Sequence, residues 1–264
     1  MGRVVAIVNQ KGGVGKTTTA ISLGASLAVA ELQTLVIDID PQGNATSGLG
    51  VEKGDSLPTI YDVLIDGKDP AECIVRGVHF PFLDLLPSNR DLVGAEIELV
   101  DRQERERVLD KALKDVRGAY DYVLVDCPPS LGLLTLNTLA AADSVLIPIQ
   151  CEFYALEGLS QLLNTVRFVQ RGLNPRLEIE GVLLTMYDRR LNLSRQVAEE
   201  ARDYFGEKVF ETTIPRNVRL AEAPSFGQPI STYDVLSAGA QSYLALAREV
   251  LKGSGKTGKT RMRG

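Results

Sequence analysis

Cysteine is scarce in this sequence and tryptophan is absent: the chain of 264 residues has three cysteines and no tryptophan. Cys73, Cys127 and Cys151 are an odd number and form no C-x-x-C pair, which argues against a disulfide framework and against a zinc knuckle. The 44% of hydrophobic and 24% of charged residues are typical of a soluble globular protein. The composition excludes a collagen-like chain, wholesale disorder and a small disulfide-stapled scaffold.

The sequence also lacks the segments that direct a protein to or through a membrane. The opening residues, MGRVVAIVNQ, have neither the basic region nor the long apolar run of a signal peptide. Gly2 does not lie in the Ser/Thr-containing context that N-myristoylation favours. The most apolar stretch, residues 131–149, is interrupted by Asn137 and Asp143, so it is a poor transmembrane span. We therefore expect a cytoplasmic protein with no membrane partner.

Charge is unevenly distributed along the chain. The whole sequence has 29 basic and 34 acidic side chains, a net charge of -5. Residues 252–264 contain five lysines and arginines and no acid, so residues 1–251 carry a net charge of -10. An acidic body does not favour nucleic-acid binding, which would have to come from local basic patches. We predict one folded domain over residues 1–251 and a basic tail over residues 252–264 with too little apolar surface to fold alone.

Short apolar runs alternate with helical stretches along the predicted domain. A strand, a helix and a second strand in succession at its start are typical of a parallel sheet with helices packed on its faces. The predicted fold class is therefore α/β, with a mostly parallel, twisted sheet and helices on both faces. Strands are predicted at residues 3–8, 34–38, 83–87, 122–126, 144–148 and 181–185, and helices at residues 16–30, 91–117, 155–172, 193–205 and 237–252.

A glycine-rich segment, Lys11-Gly-Gly-Val-Gly-Lys-Thr-Thr18, lies between the first predicted strand and the first predicted helix. A standard P-loop has a glycine where this chain has Gln10, so the strict pattern fails. What remains is still suited to phosphate, because three glycines let backbone N–H groups converge on phosphate oxygens and the following helix adds its N-terminal dipole. These glycines are Gly12, Gly13 and Gly15.

The residues after the glycines supply the remaining chemistry of a nucleotide site. Lys16 would reach the β- and γ-phosphates of a bound nucleotide, and the hydroxyl of Thr17 would ligate Mg²⁺. The segment therefore predicts a nucleotide site rather than a glycine-rich turn that binds nothing. The expected nucleotide-binding residues of this segment are Lys11, Gly12, Gly13, Val14, Gly15, Lys16, Thr17 and Thr18.

Aspartates end two of the predicted strands. Asp38 and Asp40 end the second strand, and Asp126 ends the fourth. Open α/β sheets bind their ligands at the carboxyl ends of the strands, so these carboxylates can point at a ligand. Aspartate beside proline or glycine is also a common turn residue, so the first pair alone would not establish a metal site.

Several motifs in this order resemble the ParA/MinD group of P-loop ATPases, whose deviant Walker A motif corresponds to residues 11–18 here. The resemblance covers about residues 3–250 and is strongest to the chromosomal ParA class, also called Soj. It is carried by three further runs, DIDPQGNAT at residues 38–46, DCPPS at residues 126–130 and IPRNVR at residues 214–219. It implies a P-loop NTPase fold with ATP and Mg²⁺ as cofactors.

The resemblance assigns roles around the γ-phosphate. Lys11 matches the family's signature lysine, which crosses a dimer interface to touch the partner's nucleotide, so that ATP closes a sandwich homodimer. Asp38 and Asp126 would hold Mg²⁺ through water molecules. Asp40 would position the attacking water, because a carboxylate beside Mg²⁺ is a better orienting group than a strong base. The implied catalytic residues are therefore Lys11, Lys16 and Asp40.

A second group of implied contacts lies late in the chain. Pro215 and Asn217 would pack beside the adenine and hydrogen-bond to it. Chromosomal ParA proteins bind double-stranded DNA without sequence preference when ATP dimerises them, and such binding comes from Lys and Arg contacts to phosphates. Arg189, Arg190 and Arg219 are the expected DNA contacts, although a solvated surface position is the alternative for each of them.

The implied function is a weak ATPase that drives the segregation of a chromosome or plasmid. The ATP-bound dimer would ride on the nucleoid in the cytoplasm, and a ParB-type centromere-binding protein would stimulate hydrolysis and so release it from DNA. Slow turnover would make ATP a timer of this cycle.

Relatives with the same fold remain as alternatives. A MinD-like, membrane-associated ATPase would need an amphipathic tail, whereas Met262 is the one large apolar residue in this tail. An iron–sulfur carrier would need thiolates, for which Cys127 and Cys151 are candidates because they follow strands. A metabolic ATP-dependent ligase matches the flanking motifs poorly. Lys11 and the aspartates argue against a binding protein that never hydrolyses ATP.

Overall fold

The computed structural model describes residues 2–54, 56–152 and 159–253. Its six strands are β1 (Arg3–Ile7), β2 (Thr34–Asp38), β3 (Leu83–Leu86), β4 (Tyr122–Asp126), β5 (Ser144–Gln150) and β6 (Glu178–Thr185). They form one sheet in the order β3-β2-β4-β1-β5-β6, and every neighbouring pair runs parallel. The predicted α/β class with a parallel sheet is confirmed.

The helices lie between and after these strands. Those assigned in the described part of the chain are α1 (Lys16–Val29), α2 (Asn44–Gly48), α3 (Pro70–Cys73), α4 (Leu92–Glu98), α5 (Val108–Leu113), α6 (Leu133–Ala141), α7 (Leu159–Gly172), α8 (Asn192–Phe205), α9 (Val218–Glu222), α10 (Ile230–Tyr233) and α11 (Ala238–Gly253). A π-helical turn covers Asp62–Asp66, and several short 3₁₀ turns complete the connections.

Both faces of the sheet are covered by helices, as the sequence predicts. Alternate residues of β1 enter different hydrophobic clusters: Val4 packs in one cluster and Val5 in the other. The first cluster includes residues of α4 to α8, and the second includes residues of α1 and α11. Strands buried on both faces must be apolar at nearly every position, which is why β2 and β4 are recognisable in the sequence as short apolar runs.

The single long helix predicted over residues 91–117 is wrong. The structure has two short helices there, α4 and α5, and Glu104 between them has a left-handed backbone with φ +52°. Residues 101–107 are all polar or charged, so this stretch offers no apolar face whose packing would stabilise a helix. Its arginines instead donate hydrogen bonds to backbone carbonyls, among them Arg102 to Leu64 at 2.8 Å and Arg107 to Leu173 at 2.6 Å.

Other differences concern the ends of elements. The first strand stops one residue earlier than predicted, and β5 and β6 are longer than predicted. The short helices α2, α3, α9 and α10 were not predicted, because four or five residues are too few to show a helical period. The nine-residue helix α6 was also missed; it is buried at seven of its nine positions, so it has no polar face to mark a helical period. The predicted helix over 155–172 corresponds to α7, and its first residues, 155–158, lie outside the described residues. The predicted basic tail also lies outside them, except for residues 252 and 253, which end α11.

No helix in the described ranges combines the length and the apolar character that crossing a bilayer requires.

Candidate functional site

The glycine-rich loop and the aspartates meet at the carboxyl edge of the sheet because the strands that carry them are neighbours. β4 lies between β1 and β2, and Asp126 is in register both with Ile7, the last residue of β1, and with Asp38 of β2. The loop over residues 8–15 leaves β1 at this same edge and leads into α1. The strand order therefore brings together residues that are far apart in the sequence.

Positive backbone φ angles explain two of the glycines in the loop. Gly13 has φ +75° and Gly15 has φ +90°, a conformation that side-chain-bearing residues rarely adopt. A Cβ atom on Gly12 or Gly13 would meet nothing within 4 Å, so crowding is not the reason for these glycines. The loop lies in open space and can receive a ligand against its backbone.

Asn9 fixes the start of the loop, a role that was not predicted from the sequence. Its Nδ2 donates to the carbonyl of Pro148 at 2.7 Å, and its Oδ1 accepts from the backbone N–H of Lys11 at 3.0 Å. The side chain is buried. An asparagine directly after an apolar strand was the available signal, but its partner on β5 is 139 positions away.

Lys16 is buried at the first turn of α1 and faces the carboxylates. Its Nζ donates to the carbonyl of Lys11 at 3.1 Å, so the ammonium lies inside the curve of the loop. Burial lowers the pKa of Lys16, and the nearby carboxylates of Asp126 and Asp40 act in the opposite direction. A buried ammonium at this position is suited to binding a polyanion, which would replace the single carbonyl as its partner.

Three carboxylates are buried beside this lysine. Asp38 and Asp126 are fully buried and Asp40 is 6% exposed. Burial raises the pKa of Asp38 to about 6, partly offset by the hydrogen bonds that Thr46 donates to it. Burial also raises the pKa of Asp126 well above its ordinary value, and the neighbouring Asp38 carboxylate raises it further. This edge of the sheet therefore gathers three carboxyl groups away from water, where a bound cation would favour their charged forms.

The carboxylates fit a Mg²⁺ ion held through water molecules. Both Oδ atoms of Asp126 are buried, and within the described part of the chain neither accepts a hydrogen bond of ordinary geometry. In the same part of the chain, no three His, Cys, Asp or Glu side chains are grouped so that they could hold a metal directly. Mg²⁺ usually keeps several waters and takes few protein ligands together with substrate phosphates, which is the arrangement that such a donor set allows. The hydroxyl of Thr17 lies close enough to Asp126 to lower its pKa.

A cavity of about 370 Å³ joins the glycine-rich loop to the segment around residue 216. Its lining includes both Pro215 and Asn217, the residues expected to contact adenine. Asn217 also caps α9, because its Oδ1 accepts from the N–H of Arg219 at 2.8 Å. The lining residues are Gly15, Thr18, Thr185, Met186, Ile214, Pro215, Arg216, Asn217, Val218, Leu220, Ala221 and Tyr243.

Two further residues shape this cavity, one at the end of β6 and one directly after it, and neither was predicted from the sequence. The hydroxyl of Thr185 donates to the carbonyl of Val14 at 2.9 Å and so holds the loop against β6. Met186 has φ +50°, a backbone conformation that is uncommon for a residue with a long side chain and that concentrates at functional sites.

Lys11 lies at the surface of the site rather than inside it. Its side chain is 39% exposed and its Nζ is 3.6 Å from Oε2 of Glu152. Glu152 also approaches Arg216, at 3.9 Å, so one exposed carboxylate pairs with two cations. The ammonium of Lys11 therefore lies at the surface beside Glu152, whereas the ammonium of Lys16 is buried inside the loop.

The three arginines expected to contact DNA lie at two separate places on the surface. Arg189 and Arg190 line a groove of about 740 Å³ together with Arg216, next to the cavity described above. Arg219 lies on α9.

Two of the expected DNA-binding arginines are already paired with acids. Arg190 lies 2.7 Å from Asp188 and lowers the pKa of that carboxyl to about 2. Arg219 lies 3.0 Å from Glu222 and 3.6 Å from Asp234. Arg189 makes no ion pair with the described residues, so its charge is the most available of the three.

The cysteines are buried as free thiols. Burial raises the pKa of Cys73 to about 11, that of Cys151 to about 12, and that of Cys127 further still. The thiolate is the form that binds metals, so these protonated thiols are poor ligands for an iron–sulfur cluster.

The chain as a whole is similar to known proteins. A family model described as an AAA domain matches residues 2–179. The chain is 57% identical over 252 residues to a chromosome partitioning protein ParA from Myxococcus xanthus, covering 96% of this chain and 89% of that protein. It is 54% identical over 256 residues to a chromosome-partitioning ATPase Soj from Treponema pallidum, covering 97% of this chain and all of that protein.

Solved structures resemble the chain over almost its whole length. One is a cobyrinic acid a,c-diamide synthase from Mycobacterium smegmatis with bound ADP and magnesium, with a TM-score of 0.83, 40% identity and coverage of 97% and 96% of the two chains. Another is the septum site-determining protein MinD from Pyrococcus horikoshii in complex with Mg-ADP, with a TM-score of 0.79, 27% identity and coverage of 97% and 98%.

Proposed function

The chain belongs to the ParA/Soj family of chromosome-partitioning ATPases, and from this we propose that it hydrolyses ATP with Mg²⁺ to control its own attachment to DNA. The observation that carries the proposal is the buried group of Lys16, Asp38, Asp40 and Asp126 at the mouth of a glycine-rich loop. Chromosome-partitioning relatives over nearly the full chain support the same activity.

The site's own residues account for binding of the nucleotide. The N–H groups of residues 12–18 converge on the phosphates, and Lys16 exchanges the carbonyl of Lys11 for phosphate oxygens. Pro215 and Asn217 contact the base in the cavity that begins at Gly15 and Thr18. Mg²⁺, held by Thr17 and through water by Asp38 and Asp126, supplies charge stabilisation at the phosphate oxygens when it is bound.

Asp40 acts on the attacking water. Its Oδ1 accepts from the N–H of Gln42 at 2.9 Å, which fixes the carboxylate and leaves Oδ2 to accept a hydrogen bond from a water molecule. A water held in this way lies ready for in-line attack on the γ-phosphate. As the water oxygen bonds to the γ-phosphorus, the bond from that phosphorus to the β–γ bridging oxygen breaks and ADP leaves. The proton of the water passes to a γ-phosphate oxygen, so Asp40 orients the water and does not have to serve as a strong base.

A second copy of the chain completes the site in this proposal. Lys11 is exposed enough to leave Glu152 and reach a nucleotide across an interface. Exposed ion pairs of this kind contribute at most about 1 kcal/mol, so a phosphate in the partner site can replace the carboxylate. ATP then holds two subunits together, and hydrolysis separates them.

Nonspecific double-stranded DNA is the proposed partner of the dimer, together with a ParB-type protein that stimulates hydrolysis. The groove lined by Arg189, Arg190 and Arg216 supports the first part, and it is duplicated when two chains associate. We place the protein in the cytoplasm, associated with the nucleoid. We also propose that residues 1–251 act as one domain and that residues 252–264 add basic charge for DNA.

Charge reversal at the groove tests the DNA contacts. Arg189→Glu is expected to weaken binding of the ATP-bound protein to random-sequence duplex by about tenfold or more, and to lower the slope of log affinity against log salt. Arg219→Glu should have a smaller effect, because Glu222 and Asp234 already pair with that arginine. Fluorescence anisotropy across salt concentrations measures both quantities. Arg176→Glu, an exposed arginine before β6, is the matched control. Normal affinity of the Arg189 variant at moderate salt would move the DNA surface elsewhere.

The same fold also serves a metabolic ligase, and that alternative has a specific observation behind it. The synthase from Mycobacterium smegmatis covers nearly the whole chain at 40% identity. The partitioning proteins are more similar, at 54% and 57% identity over comparable lengths, which favours segregation. A MinD-like membrane role has less support, since the MinD structure is 27% identical.

A gel-shift assay on random-sequence duplex decides the proposal as a whole. The protein is incubated with no nucleotide, ADP or ATP, each with Mg²⁺ and over a range of salt. Binding with ATP alone, decreasing steeply with salt, is the expected result. Absence of binding under every condition would reject the DNA-segregation role while leaving ATP binding to be measured separately.

A further inference from the structure

Two buried hydroxyl groups connect the ends of β2 and β3 behind the aspartates. Thr46 lies in α2 and is fully buried, and Ser88 follows β3 and is 1% exposed. The Oγ1 of Thr46 accepts a hydrogen bond from the N–H of Ser88 at 2.9 Å. Neither residue lines the cavity described above, so neither is expected to contact the nucleotide base.

Thr46 holds the carboxylate of Asp38. Its N–H and its Oγ1 both donate to Oδ2 of Asp38, at 2.8 and 2.7 Å. Among the described residues, the other oxygen, Oδ1, accepts one longer bond, of 3.2 Å, from the N–H of Asp40. Two short bonds to one oxygen fix the plane of the carboxylate and leave Oδ1 as the oxygen with spare capacity to accept.

Ser88 holds the backbone of Asp40 from the side of β3. Its Oγ donates to the carbonyl of Asp40 at 2.7 Å, and the same carbonyl accepts from the N–H of Gly43 at 2.8 Å. The turn that carries the Asp40 carboxylate is therefore anchored to a strand that contributes no carboxylate to the site.

We propose that Thr46 and Ser88 are positioning residues of the ATPase, Thr46 acting on the Mg²⁺ side through Asp38 and Ser88 on the water side through Asp40. The inference rests on the proposed function. The hydroxyl of Thr46 is required because it donates to one partner and accepts from another at the same time. A methyl group in its place would leave the N–H of Ser88 buried without a partner and remove one of the two short bonds to Asp38. Groups that orient a metal's ligands typically change metal affinity or activity by about 10- to 100-fold.

Binding of ADP with and without Mg²⁺ separates positioning from a general structural role. For Thr46→Val, ADP affinity without metal is expected to stay within about twofold of wild type, because the loop that binds phosphate is intact. Mg²⁺ is expected to increase the affinity for ADP, and the Mg²⁺ concentration at which half of this increase is reached should rise about tenfold in the variant. A fluorescent ADP analogue and EDTA-treated protein give both values. Thr46→Ser, which keeps the hydroxyl, should restore the wild-type Mg²⁺ requirement to within about threefold.

Steady-state kinetics give a second readout. Thr46→Val should lower kcat by about 10- to 100-fold with KM for ATP within about threefold at saturating Mg²⁺. Ser88→Ala should lower kcat by a smaller factor and leave the Mg²⁺ requirement unchanged, because the N–H of Ser88 still donates to Thr46. Thr138→Val is the matched control: Thr138 is also fully buried, and its hydroxyl donates to the carbonyl of Leu134 at 3.0 Å within α6.

Two results would overturn the inference. One is a Thr46→Val variant with the same Mg²⁺ requirement and kcat as Thr138→Val. The other is a Thr46→Val variant whose ADP affinity without metal and whose melting temperature both decrease much more than those of Thr138→Val. That result would make Thr46 a structural residue only. Failure of the proposed function would instead appear in the wild-type protein, which would neither hydrolyse ATP nor bind ADP more tightly with Mg²⁺.

Discussion

Lys16→Ala is expected to abolish ATP binding at micromolar nucleotide. Lys16 places a buried ammonium inside the curve of the glycine-rich loop. Hydrogen bonds to charged groups contribute about 1.5–3 kcal/mol each, and two phosphates would share this ammonium. Loss of both contacts corresponds to a decrease in affinity of about 100-fold or more. Isothermal titration with ATP and Mg²⁺ measures it directly.

The unliganded fold should survive this substitution. Lys16 lowers the pKa of Asp126, so its removal raises that pKa further and favours the protonated, uncharged carboxyl. The circular dichroism spectrum should therefore match that of wild type. Lys114→Ala is the control for loss of one positive charge, because Lys114 is an exposed lysine directly after α5. ATP affinity retained in the Lys16 variant would contradict the assignment of the loop.

Asp40→Asn is expected to stop hydrolysis while nucleotide binding continues. The Asp40 carboxylate is fixed by Gln42 and belongs to a turn, not to the phosphate-binding loop. Asparagine keeps an oxygen for the N–H of Gln42 but cannot hold the water with a negative charge. Positioned acid–base groups contribute about 10²- to 10⁴-fold, so turnover should decrease by about 100-fold or more. An ATP-bound dimer should then accumulate and remain on DNA.

Three measurements test this substitution together. Phosphate release reports turnover, gel filtration with ATP reports the dimer, and anisotropy with random-sequence duplex reports retention on DNA. Asp66→Asn is the matched control, since Asp66 is an exposed aspartate at the end of the π-helical turn. Unchanged phosphate release by Asp40→Asn would remove Asp40 from the mechanism. Loss of ATP binding in this variant would also contradict the role given to it.

The fold was predictable because its strands are buried on both faces. A strand such as β4, with the sequence Tyr-Val-Leu-Val-Asp, is apolar at nearly every position and ends on a carboxylate at the functional edge. The glycine-rich loop was predictable because its chemistry is local: the glycines and Lys16 are adjacent in the sequence. What failed was the helix over 91–117, where charged residues suit a helix by propensity but offer no surface to bury.

The supporting residues of the site were not predictable because their partners are distant in sequence. Asn9 contacts Pro148, and Thr185 contacts Val14, each across more than 130 positions. The Thr46–Ser88 bond depends on the adjacent positions of β2 and β3 in the sheet. No periodicity or spacing in the sequence reports such pairs.

For the arginines expected to contact DNA, by contrast, the sequence did contain local information about their partners. Asp188 lies two positions before Arg190 and pairs with it. That acid was visible in the sequence and would have favoured Arg189 over Arg190 as the arginine with an available charge. Glu222, three positions after Arg219, was an equally local signal. The pairing of Arg219 with Asp234 depends on how α9 and α10 pack, so it had no such signal.

The central position of β1 has a consequence for synthesis of the chain on the ribosome. Arg3 of β1 pairs with Tyr122 of β4, and Val5 of β1 pairs with Ser144 of β5. Because β1 precedes both of its partners in the chain, it has no partner in the sheet until well over 100 further residues have been added. Contacts this distant in sequence form slowly and leave an apolar strand edge exposed in the meantime. A nascent chain that stops before β4 has its glycine-rich loop but no sheet edge to hold the loop in place, so the first-made part of the nucleotide site is completed late.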